Sequence, residues 1–278
     1  ANNDWERPIY FTGGSYAESE YIWMKEYLQL EGLVYKLVPI KTPLNTNNPY
    51  IMGRLDSDLM YDIVMNWSWG NSESPDIYHD VETRKNSISF RSNMARLAEK
   101  LIEEGKKEMA KNILDLAMEK MPLDYFGYYS LLVPFVDGYY RLGALESAQN
   151  LAKKVGFKYS DELNYFASLS PNEQYMMGEE IITQVERYRT LMEAILVNED
   201  RELLKTELDH FTVAIQPFKN LYGDYDYYTS LTDFVEGYYL SGQNEKAEAL
   251  IESIVSQYEE RFGMIANFEK SNNQRNLN

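Results

Sequence analysis

The sequence predicts a mainly α protein in which helix pairs, over residues 83–278, follow a small α/β segment of βαβ type, residues 1–82. Three observations carry this. From about Thr83 onward, apolar residues recur at helical spacing almost throughout. Before that point, Gly, Pro, Asn and Ser break the chain into short runs. Finally, a block of sequence occurs twice. Phe135-Val136-Asp137-Gly138-Tyr139-Tyr140-Arg141-Leu142-Gly143 is followed by Glu146 and Ala148. Phe234-Val235-Glu236-Gly237-Tyr238-Tyr239-Leu240-Ser241-Gly242 is followed by Glu245 and Ala247, at a constant offset of 99 residues.

In chain order, Trp5 to Phe11 has β-prone character, with Pro8 suited to a strand start or edge. Thr12-Gly13-Gly14-Ser15 is a turn. Between Glu18 and Leu30, the residues Tyr21, Met24, Leu28 and Leu30 approximate helical spacing, and Gly32 suits a helix stop. Leu33 to Ile40 reads as a second strand, so strand, helix and strand suggest a right-handed βαβ unit. Residues 41–52 form a loop, Asp58 to Trp69 a short helix with aromatic anchors, and Asn71 to Asp76 another loop.

The repeated block has a physical logic. Glycine closes a first helix because it enters the left-handed conformation cheaply. Ala110, Ala148 and Ala247 are small enough for a second helix to approach closely. A weaker copy, Leu97 to Ile102 with Gly105, Glu108 and Ala110, stands 38 residues before Gly143, and Met121-Pro122 closes it. Tyr128-Tyr129 and Tyr227-Tyr228 also fall at the 99-residue offset. These segments resemble the tetratricopeptide repeat, whose period is about 34 residues. Three such pairs are expected, the third set apart by a helical insertion over 156–200. One pair cannot bury its apolar face, so neighbours stack into an irregular solenoid.

Composition restricts the function. The net charge is −17. Nucleic-acid binding needs a positive stripe, and none is present in the sequence. Docking on anionic lipid is disfavoured for the same reason. With no cysteine, thiolate chemistry and cysteine zinc sites are excluded. No run approaches the roughly 20 apolar residues of a membrane-spanning helix. The sequence opens on Ala1 rather than Met, as expected of a chain processed or cut from a longer one.

Single motifs favour structural roles. Gly13-Gly14-Ser15 lacks the Walker lysine and the dinucleotide spacing, so it reads as a turn. His79, beside Asp76 and Asp80, reads as a loop histidine bonded to a neighbour, and His210 as a helix residue at least partly exposed. Asp56 or Asp58 suits a helix cap. Trp67 and Trp69 are expected to pin the α/β segment to the first helix pair. Glu103 to Glu108 reads as the solvated end of a pair. No catalytic residue, cofactor or metal site is singled out. Two sets of tyrosines are the binding candidates. Tyr139 and Tyr238 occupy equivalent repeat positions, where they either line a groove or pack in the core. Tyr225, Tyr227 and Tyr228 lie in an aromatic–acidic cluster suited to gripping a peptide or stacking on a sugar, or else to packing between helices.

Several blocks together carry a further resemblance: Asn3 to Phe11, Tyr27 to Pro39, Met60-Tyr61-Asp62, Trp69-Gly70 and Arg91 to Ala98. Over residues 1–155 the chain resembles the C-terminal soluble region of a family of multipass membrane proteins, mostly from Bacteroidetes and long of unknown function. That family is similar to transmembrane protein O-mannosyltransferases and to glycosyltransferases that use lipid-linked donors. The resemblance implies membrane helices before Ala1, as the chain's only tie to the membrane, and a periplasmic position for this part. It also implies a catalytic acid in a loop of the membrane part, with no matching position here. The expectation is therefore a non-catalytic, tetratricopeptide-like region that binds protein or peptide partners. A carbohydrate-binding module built on the Tyr/Asp cluster is the alternative. A hydrolase or transferase in the α/β segment ranks below both, because about 40 residues are too few for a doubly wound catalytic sheet.

Overall fold

A computed structural model describes residues 5–12, 22–43 and 52–275, and side-chain surroundings for those up to 268 except Ile22. The chain divides into two compact units, residues 1–145 and 146–278. The composition change near residue 83 falls inside the first unit. Most described residues are helical, with one small sheet near the start, so the chain is mainly α with a small α/β segment.

The sheet holds β1 (Tyr10–Thr12), β2 (Leu28–Glu31), β3 (Val34–Leu37) and β4 (Arg54–Leu55), in the order β1-β3-β2-β4. β3 runs antiparallel to both β1 and β2, while β4 is parallel to β2. This corrects the expected βαβ unit, whose two strands would be parallel. Leu28 and Leu30, assigned above to the end of a helix, lie on β2. Only Ile22–Tyr27 is helical there, as a 3₁₀ segment. The reason is burial. All four β2 residues are buried between two neighbouring strands, and Gly32, with φ 66°, begins the two-residue turn into β3. Gly32 therefore ends a strand, not a helix. The Gly13-Gly14-Ser15 turn lies outside the described residues.

Helix α1 (Ser57–Met65) starts where Asp56 caps the Leu59 amide at 3.2 Å. Asp80 caps α2 (Val81–Glu103) in the same way, through Thr83 at 2.7 Å. Trp67 makes the expected bridge, and Trp69 packs on Trp67 and Phe90. The Trp67 ring lies 5.0 Å from Phe90 of α2, and its other edge closes on Gly32 of the hairpin. Polar staples complete the junction. Asn93 donates to the Gly32 carbonyl at 2.9 Å, and Arg96 to the carbonyls of Met52 and Gly53 at 2.9 and 2.8 Å. Within the Glu103–Glu108 charge run, Lys106 reaches back to Asp58 at 2.7 Å.

After α2 the first unit continues with α3 (Lys107–Lys120), α4 (Leu123–Phe126), a 3₁₀ turn (Tyr129–Leu132) and α5 (Val133–Arg141). The second unit holds α6 (Leu145–Ala167), α7 (Pro171–Met176), α8 (Gly178–Val197), α9 (Arg201–Ile215), α10 (Lys219–Tyr222), α11 (Asp224–Thr229), α12 (Phe234–Leu240) and α13 (Asn244–Arg275).

One turn recurs four times. α2, α5 and α12 are closed by Gly105, Gly143 and Gly242, with φ of 75°, 74° and 76°. In each, the next amide bonds back five residues: Lys106 to Leu101, Ala144 to Tyr139 and Gln243 to Tyr238, at 2.8, 2.9 and 2.8 Å. This is the paired-bond motif that satisfies the orphan carbonyls of a helix end. The fourth copy joins α8 to α9, where Glu199 takes φ 51° and Asp200 bonds to Ile195. The expected insertion thus contains the first helix of a further hairpin. The small alanines five residues after each glycine, Ala110, Ala148 and Ala247, are fully buried.

The second unit's core contains an aromatic ladder. Tyr159 of α6 stacks on Tyr188 of α8 at 5.6 Å, Tyr188 meets Phe211 of α9 at 5.1 Å, and Phe211 meets Phe234 of α12 at 5.1 Å. Beside it the Glu207 carboxyl is buried against Gly156, at which a Cβ would stand 3.1 Å from its oxygen. Burial pushes this carboxyl above the ordinary carboxylate range, against the pull of His210 at 3.4 Å and of Lys153. A carboxyl raised in the folded state favours folding when protonated, so its contribution is lost as pH rises through the folded value. Glu207→Gln is therefore expected to melt above the parent at pH 7, with the gap closing as pH falls toward 4.5, the ordinary value. Calorimetry across that range checks it.

Candidate functional site

The second unit carries a groove of about 700 Å³ bounded by α9, the 3₁₀ turn Gln216–Phe218, α11, α12 and α13. Its lining includes Thr212, Lys219, Tyr227, Tyr228, Tyr238 and Lys246. Gly223, at φ 77°, breaks α10 from α11 and so turns Tyr227 and Tyr228 toward the groove. The two rings meet edge to face at 5.2 Å. Tyr227 is buried, which raises its hydroxyl to about 12. Tyr228 is half-buried, and the Lys219 ammonium sits over its ring, 4.7 Å from the centre. Burial pulls Lys219 down, but the Tyr228 hydroxyl and Asp224 at 3.3 Å hold it above the ordinary lysine range. Across the groove, Lys246 pairs with Asp209 at 2.5 Å.

Three of the five candidate tyrosines therefore come together: Tyr227, Tyr228 and Tyr238. Tyr238 is largely core, with its hydroxyl 3.2 Å from Thr212 Oγ1 and raised chiefly by burial. Tyr225 faces α13 instead. Its ring stands edge to face with Tyr258 at 5.4 Å, under the Arg261 guanidinium at 4.2 Å. Tyr139 belongs to the first unit and is buried. Its hydroxyl donates to Asp115 at 2.9 Å, and burial, followed by that carboxylate, raises it strongly. The repeat thus places Tyr139 and Tyr238 alike, at the helix end that each Gly turn closes, as packing residues with one internal hydrogen bond.

Sequence reading missed Lys219, Lys246 and Thr212. Lys246 stands 37 residues from Asp209, and no local pattern announces that pair. Both lysines hold exposed or half-exposed carboxylates. Such pairs contribute about 0–1 kcal/mol and exchange partners readily. The groove therefore offers two exchangeable cations around a tyrosine floor, in a chain of net charge −17.

The histidines are placed as expected. His79 bonds the Ser72 carbonyl at 2.9 Å and lies on Phe126, 4.7 Å between ring centres. His210 is exposed. Among the described residues, no cluster of three or more His, Asp or Glu side chains is disposed to hold a metal, and no helix is long and apolar enough to cross a membrane.

No curated protein and no solved structure matches the chain. Residues 1–59 match the family model described as TMEM260-associated domain 2, which links this N-terminal segment to a TMEM260-like membrane-protein family.

Proposed function

We propose that this chain is a non-catalytic interaction region of a glycosyltransferase-like membrane protein of the O-mannosyltransferase type. It lies on the extracytoplasmic side and takes an extended peptide segment of a partner in the tyrosine groove. The observation that carries the reading is the match of residues 1–59 to a TMEM260-associated domain. The helix hairpins support it, since tetratricopeptide-like pairs present concave surfaces to partners. The groove supports a peptide over a sugar. Lys219 over Tyr228 and Arg261 over Tyr225 each take one of the two ring faces on which a sugar would stack. A peptide instead offers carbonyls and carboxylates to Lys219 and Lys246, and side chains to Tyr227 and Tyr228.

The test places a photo-crosslinking residue at position 228 in the membrane-borne protein. A protein adduct, lost on adding free groove-binding peptide, is expected. Tyr228→Ala weakens capture of that peptide about tenfold, the scale of a half-buried aromatic anchor, without moving the urea midpoint. Glycan-array binding that Tyr228→Ala abolishes, with no protein adduct, assigns the groove to carbohydrate. Protection of the chain from protease added outside intact spheroplasts overturns the extracytoplasmic position.

A further inference from the structure

Two of the helix hairpins meet a following helix in the same way. In α2–α3 and α8–α9 a leucine stands nine residues after the left-handed residue, Leu114 after Gly105 and Leu208 after Glu199, whereas Ala152 holds that position after Gly143. Each leucine fits against a glycine of a following helix. A Cβ on Gly138 of α5 would lie 3.0 Å from Leu114, and one on Gly237 of α12 would lie 2.9 Å from Leu208. In the α12–α13 hairpin, nine residues after Gly242, the equivalent position is Ile251. Ile251 opens onto a groove of about 730 Å³, walled by Val235, Tyr239, Ile254 and Val255.

The apolar surface continues beyond that groove. Ile251, Val255, Tyr258, Phe262 and Ile265 alternate in steps of four and three, which puts them on one face of α13. Val255, Phe262 and Ile265 are 47%, 68% and 49% exposed. The stripe extends about 21 Å, or four turns. One edge is acidic. Glu248, Glu252 and Glu259, all exposed, each stand three residues before a member of the stripe. The groove itself is lined by one cation, Arg201, and one carboxylate, Glu236.

We propose that the α12–α13 face docks one amphipathic helix from a partner protein, seated where a following helix meets Leu114 and Leu208. The chemistry specifies that helix. It carries an apolar face with Gly or Ala at the crossing over Ile251, and Lys or Arg along the edge that meets Glu248, Glu252 and Glu259. A second copy of this chain is disfavoured, since it brings the same glutamates and the same charge of −17. An anionic membrane is disfavoured by the same acidic edge. This site is separate from the tyrosine groove and stands or falls without it.

The test uses the whole chain and two synthetic helical peptides of about twenty residues, both with a Leu face and a central Ala. One carries lysines along its edge and the other glutamates. Fluorescence anisotropy is expected to show the lysine peptide binding at least about tenfold more tightly, with the preference shrinking in salt. Val255→Asp and Phe262→Asp, both at exposed positions, abolish binding with circular dichroism unchanged. Glu252→Lys together with Glu259→Lys inverts the preference, while Tyr228→Ala leaves it intact. Equal binding of the two peptides, or none, overturns the proposal. So does self-association in the ultracentrifuge that Phe262→Asp abolishes, or binding to phosphatidylserine vesicles that these aspartates abolish while the lysine peptide does not compete.

Discussion

Arg91→Met is expected to destabilise the first unit by about 3–5 kcal/mol, because two buried carbonyls lose a charged donor at once. Arg91 is fully buried on α2. Its guanidinium donates to the Met121 carbonyl at 2.8 Å and to the Gly127 carbonyl. Those acceptors bracket the chain between α3 and the 3₁₀ turn, where Gly127 and the non-glycine Tyr128 both hold positive φ, 63° and 47°. Methionine fills much of the volume but donates nothing. Each orphaned carbonyl costs about 1–3 kcal/mol, and the strained Tyr128 conformation loses the contact that holds it. Burial lowers the guanidinium to about 10 from an ordinary value of 12.5. A cation lowered in the folded state gains stability only as pH rises through that range, well above neutrality. The loss in Arg91→Met is therefore the same at pH 5 and pH 8. Urea unfolding at both values measures it, read from the first unit's transition if the two units separate. Arg91→Lys keeps the charge but not the fork, and falls between the two.

Gly53→Ala is expected to cost at least about 3 kcal/mol, since strain and collision act together. Gly53 precedes β4 and holds φ 66°. A Cβ there would stand 2.3 Å from the Leu28 carbonyl oxygen and 2.7 Å from its carbon. Both are backbone atoms of β2, an inner strand of the sheet, so no side chain can rotate away. Relief requires β4 to shift, and the Gly53 carbonyl would then leave Arg96. Gly105→Ala is the matched control. It has an equally positive φ of 75° but open space around it, so only the conformational penalty of about 1 kcal/mol applies. A difference of about 2 kcal/mol between the two variants in urea separates collision from strain. Equal losses would show that β2 and β4 are not in this contact.

The sequence by itself determined the helix hairpins wherever the turn chemistry was local. Gly105, Gly143 and Gly242 announce left-handed turns, and Ala110 and Ala247 announce close approach, because both properties belong to single residues. Asp56 as a cap and Trp67 as a pin were legible for the same reason. The hairpin at Glu199 was not, since a glutamate does not advertise positive φ. The burial of Ile195 and Leu204 on either side and the Asp200 cap on the Leu203 amide hold it there. Leu28 and Leu30 fit a helical spacing as well as a strand, and the choice fell to pairing with β3 and β4, whose partners are remote in sequence or a turn away. The tyrosines divide in the same way. Their recurrence at 99 residues was visible, but whether each became core or groove depended on neighbours elsewhere in the chain, such as Asp115, 24 residues from Tyr139, and Thr212, 26 residues from Tyr238. Asp115 draws Tyr139 inward, while the Asp209–Lys246 pair helps to frame the groove that Tyr228 enters. Local backbone preference is encoded residue by residue, whereas burial and charge pairing belong to surfaces that exist only once the chain has folded.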